Sequence, residues 1–330
     1  MANDEKLSAV RTDHDNNAAT DATAVSWTDR MPIVEPAPWR HQYFADVACP
    51  DDVMIPADDP EAWAWNPAHR WAFDKLQVAL TQGFDAAPHG LAPTHYPVFS
   101  KPIFNFGGMG VGSRVLASTA DYEAHNTPGH MWMPLLEGRH VSTDLAIVDG
   151  RVVWLRHATG KATRDGMFDY WTVHRDPMPA LACTLLRWAE SNLAGYTGML
   201  NVETIGPGII EAHLRFADQW PDLYGPGWVE ALVGLYARRD WRFADRDRRD
   251  GFSIALFGPH GQRFSHPPRS VVDEVLALRG VSSVQITFHA DKAPEAHSMP
   301  PGGFRVALVN AVDLDAGRRG RERLARWFGI

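Results

Sequence analysis

Two cysteines in 330 residues, Cys49 and Cys183, are too few for a disulfide framework or a cysteine-based zinc motif. No apolar run approaches the roughly 20 residues of a membrane span, and none resembles the short apolar core of a signal peptide. Lysine and arginine number 32 against 40 acidic residues, a formal charge of −8 with no basic cluster, which argues against nucleic acid as the main partner. No internal repeat or low-complexity tract is evident. These absences point to a soluble cytoplasmic protein with reduced thiols and no membrane partner. With 45% apolar residues the chain is long enough for two or three lobes.

The most informative stretch present runs from Tyr196 to Tyr224. Gly206, Pro207 and Gly208 form a turn. Met199, Asn201 and Glu203 alternate into it, Glu211, His213 and Arg215 alternate out, and Leu200, Val202, Ile210, Ala212 and Leu214 face the other way. A hairpin symmetric about Pro207 sets Glu203 directly opposite Glu211. Like charges at cross-strand distance repel by something on the order of 0.2 to 1 kcal/mol unless a cation sits between them. The polar face is therefore either simply wet or built around a cation.

Residues 1–30 are rich in Ala, Asp, Asn and Thr and are expected to form a mobile tail. From Met31 to Trp65 proline and tryptophan are frequent, and one strand is expected around Val53 to Ile55. Asn66-Pro67 pairs a cap with an N1 proline, and PAHRWAFDKLQVALTQ predicts one helix running to Gly83. Residues 96–118 read as a strand ending at Lys101-Pro102, a glycine-rich loop from Gly107 to Gly112, and a strand at Arg114 to Leu116. Closely spaced glycines let backbone N–H groups approach phosphate oxygens; the plainer alternative is a flexible hairpin. Ser113-Arg114 stand where a P-loop needs Lys-Ser/Thr, and a strand rather than a helix follows, which excludes the dinucleotide fingerprint as well.

Further on, His140, Ser142 and Asp144 share one strand face, and Asp149-Gly150 is a hairpin turn. Pro179 starts a helix whose Leu181, Leu185, Trp188 and Ala189 lie on one face, placed to pack behind the carboxylate hairpin. GWVEALVGLYARR and RSVVDEVLALRG read as helices, and GFSIALFG, VSSVQITF and GGFRVALVN as strands. The basic final segment, RRGRERLARW, reads as a solvated amphipathic helix.

In this order, from about residue 66 to 310, these segments resemble the ATP-grasp superfamily, the fold of D-alanine–D-alanine ligase and biotin carboxylase. Asp74-Lys75 is similar to the pair that opens that fold, and Lys101 with its glycine loop is similar to the flexible lid. Met133 to Leu136 with Gly138 resemble the hinge that holds adenine. Glu203 followed by Glu211-X-His213-X-Arg215 resembles the metal strands, whose second member in the family reads Glu-X-Asn-X-Arg.

The resemblance implies an α+β fold of two lobes with antiparallel sheets clasping ATP: a reduced N-terminal region over 31–70, a small lobe over 71–131 with the lid, and a large lobe over 132–330. It implies that Lys75, Lys101, Gly108, Gly110, Gly112, Met133, Leu136, Glu137 and His140 bind the nucleotide. His140 occupies the ribose-binding glutamate position, with Glu137 beside it. Glu203, Glu211 and His213 would hold Mg2+, or Mn2+ given the imidazole donor, and Arg215 would be catalytic. Lys161, Arg164 and Asp169 fall where the family often approaches nucleotide or substrate.

The implied activity is that of an ADP-forming ligase. It activates a small-molecule or peptide carboxylate as an acyl phosphate for attack by an amine or similar nucleophile, and such enzymes are often homodimers or completed by a partner subunit. Three alternatives stand beside it: a phosphotransferase on the same fold, a non-catalytic ATP-binding subunit, and a zinc hydrolase built on Glu203, Glu211 and His213.

Overall fold

Short-range signals place most of the elements. In the computed structural model the described residues are 32–33, 37–105 and 110–330, so the expected tail at 1–30 and Gly108 of the glycine loop lie outside them. The first strands are β1 (Ala87–Pro88), β2 (Val98–Pro102), β3 (Arg114–Leu116) and β4 (His130–Pro134), which form a four-stranded sheet in the order β1-β4-β2-β3. An eight-stranded sheet follows from β5 (His140–Val148), β6 (Arg151–Ala162), β7 (Phe168–Val173), β8 (Gly198–Ile205), β9 (Gly208–His213), β10 (Gly251–Gly258), β11 (Val281–Ile286) and β12 (Phe304–Ala311). Its order is β11-β12-β10-β7-β6-β5-β8-β9. All of the pairings are antiparallel, as the α+β expectation requires.

The helices are α1 (Pro38–His41), α2 (Asp59–Trp65), α3 (Lys75–Leu80), α4 (Thr119–Ala124), α5 (Pro179–Asn192), α6 (Trp228–Arg238), α7 (Arg269–Leu276) and α8 (Leu314–Phe328). Leu185, Trp188 and Ala189 of α5 pack on Leu200, Val202 and Ala212, the apolar side of the carboxylate hairpin. Ala62 of α2 and Val78 of α3 join the same apolar cluster, while Asp59 and Lys75 from the starts of these helices reach the polar side. Asp149 and Gly150 take φ of 50° and 78°, the paired positive values that a tight two-residue hairpin turn demands.

Three local expectations are corrected. Residues 53–55 make no strand: Val53 and Ile55 are buried, but the backbone bond of Ile55 N–H goes to the Pro32 carbonyl outside any sheet. The single helix expected over 67–82 is two pieces, a 3-10 turn at Pro67–Phe73 and then α3. The break falls at Asp74, whose extended backbone and side chain cap the Gln77 N–H, while Lys75 N–H is drawn to the Ile103 carbonyl. A helix start thus sits in the middle of a continuous helical pattern, and it turns Lys75 inward.

The third correction concerns the hairpin itself. Asn201↔His213, Val202↔Ala212 and Glu203↔Glu211 pair as symmetry about Pro207 predicts, but the register shifts beyond Glu203 so that Thr204 pairs Ile209. Ile209, not Ile210, therefore fills the apolar side, and Ile210 is the extra residue of a bulge. Its carbonyl accepts a hydrogen bond from Lys101 Nζ at 2.6 Å.

Candidate functional site

Four separate segments converge on the polar face of the β8–β9 hairpin. Cross-strand rows run Ser142–Glu203–Glu211 and Asp144–Asn201–His213 across β5, β8 and β9. Lys75, at the first turn of α3, places Nζ 2.5 Å from Glu211 Oε2. Lys101 comes from β2 of the small sheet and is 6% exposed. His140 opens β5 and sets Nε2 2.9 Å from Glu203 Oε2. Burial alone would hold the His140 imidazole low; the hydrogen bond and charge of Glu203 raise it above its ordinary value.

The fourth segment is one the sequence did not single out. Asp59, at the start of α2 and 6% exposed, receives His213 Nδ1 at 3.0 Å and Arg215 Nε at 2.7 Å. Burial pushes its carboxyl up, but the charges of Arg215 and His213 overcome this and hold it well below the carboxylate range. The Asp58 side chain caps Glu61 N–H, so the first turn of α2 is fixed where Asp59 leaves it. An acidic residue after a cap was the only signal in the sequence, and helix first turns carry many such residues.

Burial opposes charge on His213 as well, but Asp59 beside it raises the imidazole to about 9. The folded value lies above the ordinary ~6.5, so the pair's stabilisation is complete below ~6.5 and is lost as pH rises through about 9. The melting temperature of metal-free protein should fall across that window. In Asp59→Asn the fall should be much shallower, and equal slopes in the two proteins would show that the pair does not set the titration.

Glu203, Glu211 and His213 each offer one ligand atom, and these lie within 4.8 Å of one another, the arrangement expected of a divalent cation site. Because Asp59 engages Nδ1, Nε2 of His213 is left facing Glu211 Oε1 at 3.9 Å, an orientation of the kind a carboxylate imposes on metal-binding histidines. Two hard oxygen donors and one imidazole fit the ion, and the nitrogen suits Mn2+ better than Mg2+. The repulsion that the sequence left unanswered is met by the protein itself, since Lys75 neutralises Glu211 and His140 partners Glu203. Burial would raise the Glu211 carboxyl, yet His213 and Lys75 hold it well below the ordinary range. A metal ion would displace these partners rather than fill a gap. Lys101, pulled down by burial to about 8 despite Glu211 and Glu203 nearby, lies over the same hairpin.

The remaining expected site residues are placed as follows. Met133, 1% exposed, lies near the end of β4 in an apolar cluster with Met131, Ala79, Phe84 and Leu136. Leu136, Glu137 and Gly138 cross the tip of the hairpin. A Cβ on Gly138, whose φ is 127°, would come 2.8 Å from Gly206 Cα, so glycine is required by close approach as well as by conformation. The Glu137 side chain is exposed. Gly110 and Gly112, with φ of 64° and 81°, lie in the turn between β2 and β3, away from the carboxylate cluster in their contacts. Asp169 is engaged by Arg318 and Arg321 of α8, and Lys161 lies over the Tyr170 ring, so neither is drawn to the hairpin. Asp144, 1% exposed and pushed up by burial to about 6, accepts from Asn201, Tyr224 and Ala217 and anchors the chain that follows Arg215.

No family model matches the chain, and no curated protein matches it in sequence. Solved structures do resemble it. An L-amino acid ligase from Bacillus licheniformis superposes with a TM-score of 0.56 at 13% identity, over 87% of this chain and 82% of that one. N5-carboxyaminoimidazole synthase from Aspergillus clavatus, in complex with ADP and a ribonucleotide, gives 0.56 at 12% over 88% and 84%. Phosphoribosylamine–glycine ligase from Thermotoga maritima gives 0.57 at 13% over 84% and 83%. The chain has the ATP-grasp fold.

Proposed function

We propose that the chain is an ADP-forming ligase that activates a carboxylate as an acyl phosphate and passes the acyl group to an amine or similar nucleophile. The observation that carries this reading is the convergence of Lys75 of α3 and Lys101 of β2 on the hairpin stretch that bears Glu203, Glu211, His213 and Arg215, three segments of an ATP-grasp fold. Lys75 and Lys101 align the triphosphate, and the hinge from Met133 to Leu136 with Gly138 holds the adenine. A divalent ion held by Glu203, Glu211 and His213 Nε2 would supply charge neutralisation on the phosphate oxygens.

A carboxylate oxygen of the substrate attacks the γ-phosphorus, the bond to the β–γ bridging oxygen breaks, and ADP leaves. Arg215, held by Asp59, faces the charge on the moving phosphoryl group. The nucleophile then attacks the acyl carbon, the single bond from that carbon to the phosphate oxygen breaks, inorganic phosphate leaves with the electron pair, and an amine nucleophile gives up a proton. Among the described residues no helix is long and apolar enough to cross a membrane. A second reading, nucleotide binding without turnover, is favoured by one observation: Asp59 already engages both His213 and Arg215.

Calorimetric titration of ATP with Mg2+ or Mn2+ tests the site. Wild type should bind in a metal-dependent way, and Glu211→Ala should weaken that binding by about tenfold or more. ATP binding that is absent with both metals would overturn the reading. Release of ADP with a panel of acids and amines then separates ligase from silent binder. Amino acids come first in the panel, because two of the similar structures are ligases whose names specify an amino acid or glycine.

A further inference from the structure

Asp218 follows the metal-binding hairpin by a few residues and is the shared neighbour of three arginines from separate parts of the chain. Arg40 of α1 donates Nε to its carboxylate, and the charges of Arg40, Arg215 and Arg305 together overcome burial and hold that carboxyl below its ordinary value. Arg40 is seated there because the residues around it dock on the large sheet: Gln42 reaches the Val284 carbonyl and Tyr43 OH reaches Ser283 at 3.0 Å.

Arg305 of β12 is the anomaly in this cluster. Its Nε is shut off from solvent and has no hydrogen-bond partner, and among the described residues no carboxylate lies within ion-pair distance of its guanidinium. Asp218 attracts it only from farther away, having given its oxygen to Arg40, while Arg40 repels it. A guanidinium placed for stability would form a two-pronged pair with a carboxylate; this one is half-buried with its Nε shut off and unpaired, which lowers stability. Arg215 and His213 are paired with Asp59 and the Asp218 oxygen is given to Arg40, which leaves Arg305 without a paired carboxylate.

We propose that Arg305, together with Arg40 and Arg215, forms a subsite for an anionic group on the acid substrate, a carboxylate or a phosphate, beside the position where the phosphoryl group is transferred. The proposal rests on the ligase reading and narrows its substrate class to acids that present an anion to this cluster. Guanidinium groups suit both anions because their paired donors match two oxygens at once.

The test uses the full chain with succinate and inorganic phosphate as probes, by calorimetry, with and without a saturating non-hydrolysable ATP analogue that occupies Lys75 and Lys101. Wild type should bind at least one probe in the presence of the analogue, and Arg305→Met should lose that binding by about tenfold or more, with Arg305→Lys in between. Arg305→Met should also melt at or above the wild-type temperature without ligand, because it removes a half-buried, unpaired charge whose Nε is shut off from solvent. Preference for succinate or for phosphate identifies which anion the substrate carries. The proposal falls if wild type binds neither probe at roughly 10 mM, if Arg305→Met binds as well as wild type, or if that variant melts lower, as loss of a structural guanidinium would require. Nucleotide titrations on the same samples keep the two readings apart: anion binding without ATP binding sinks the ligase and leaves the subsite, and the converse does the reverse.

Discussion

Replacing Arg215 by alanine is expected to reduce ADP formation by about 10³-fold or more while leaving metal-dependent ATP binding within a few-fold of wild type. On the proposed reading the difference arises because Arg215 would meet charge that develops on the transferring phosphoryl group, whereas ground-state affinity would come from Lys75, Lys101 and the carboxylate pair. The alanine variant also strips Asp59 of one partner, so a drop in activity could be confused with partial unfolding. Arg215→Lys resolves this. It keeps a cation beside Asp59 and should fold normally, yet it loses the planar, paired donors and should still be impaired by about 10²-fold. Turnover at the wild-type rate in folded Arg215→Lys and Arg215→Ala protein would remove Arg215 from the chemistry.

The largest effect on stability should come from Asp59→Ala. Asp59 is 6% exposed and is the direct counter-ion of both His213 and Arg215; its loss leaves two cations facing each other at the end of the hairpin. Removing one member of a buried ionic cluster costs about 3 to 5 kcal/mol, which in a domain of this size lowers the melting temperature by on the order of 10 °C. Asp59→Asn keeps the shape and should cost less, since His213 can shed its proton once the negative charge is gone. In that variant Nε2 and Nδ1 compete for orientation, so Mn2+ affinity should fall even where the fold survives. A melting temperature for Asp59→Ala within a degree or two of wild type would mean that the contact is not a stabilising one.

Much of the hairpin could be read from the sequence because its signals are local. Alternation sorts Asn201, Glu203, Glu211 and His213 from Val202 and Ala212, and a glycine–proline turn sets the register that pairs Glu203 with Glu211. The same holds for α5 behind it and for the paired positive φ values at Asp149 and Gly150. The bulge at Ile210 was not legible, because a one-residue slip is chosen by what packs at the hairpin's tip, including Leu136 against Gly208 and Lys101 on the freed carbonyl. Nor was the break before Lys75, where the periodic pattern runs on but the Ile103 carbonyl, 28 positions away in sequence, captures the Lys75 amide.

By itself the sequence determined which residues line the carboxylate face and in what order the motifs arrive, since periodicity and turn chemistry act over a few residues. Only the tertiary structure decided what neutralises that face. Lys75 and His140 take the two glutamates, and Asp59, 154 positions before His213, takes the histidine and arginine. Charge pairing between distant segments depends on where the chain returns in space, and a lone aspartate at the start of a short helix carries no mark of the partner it will meet.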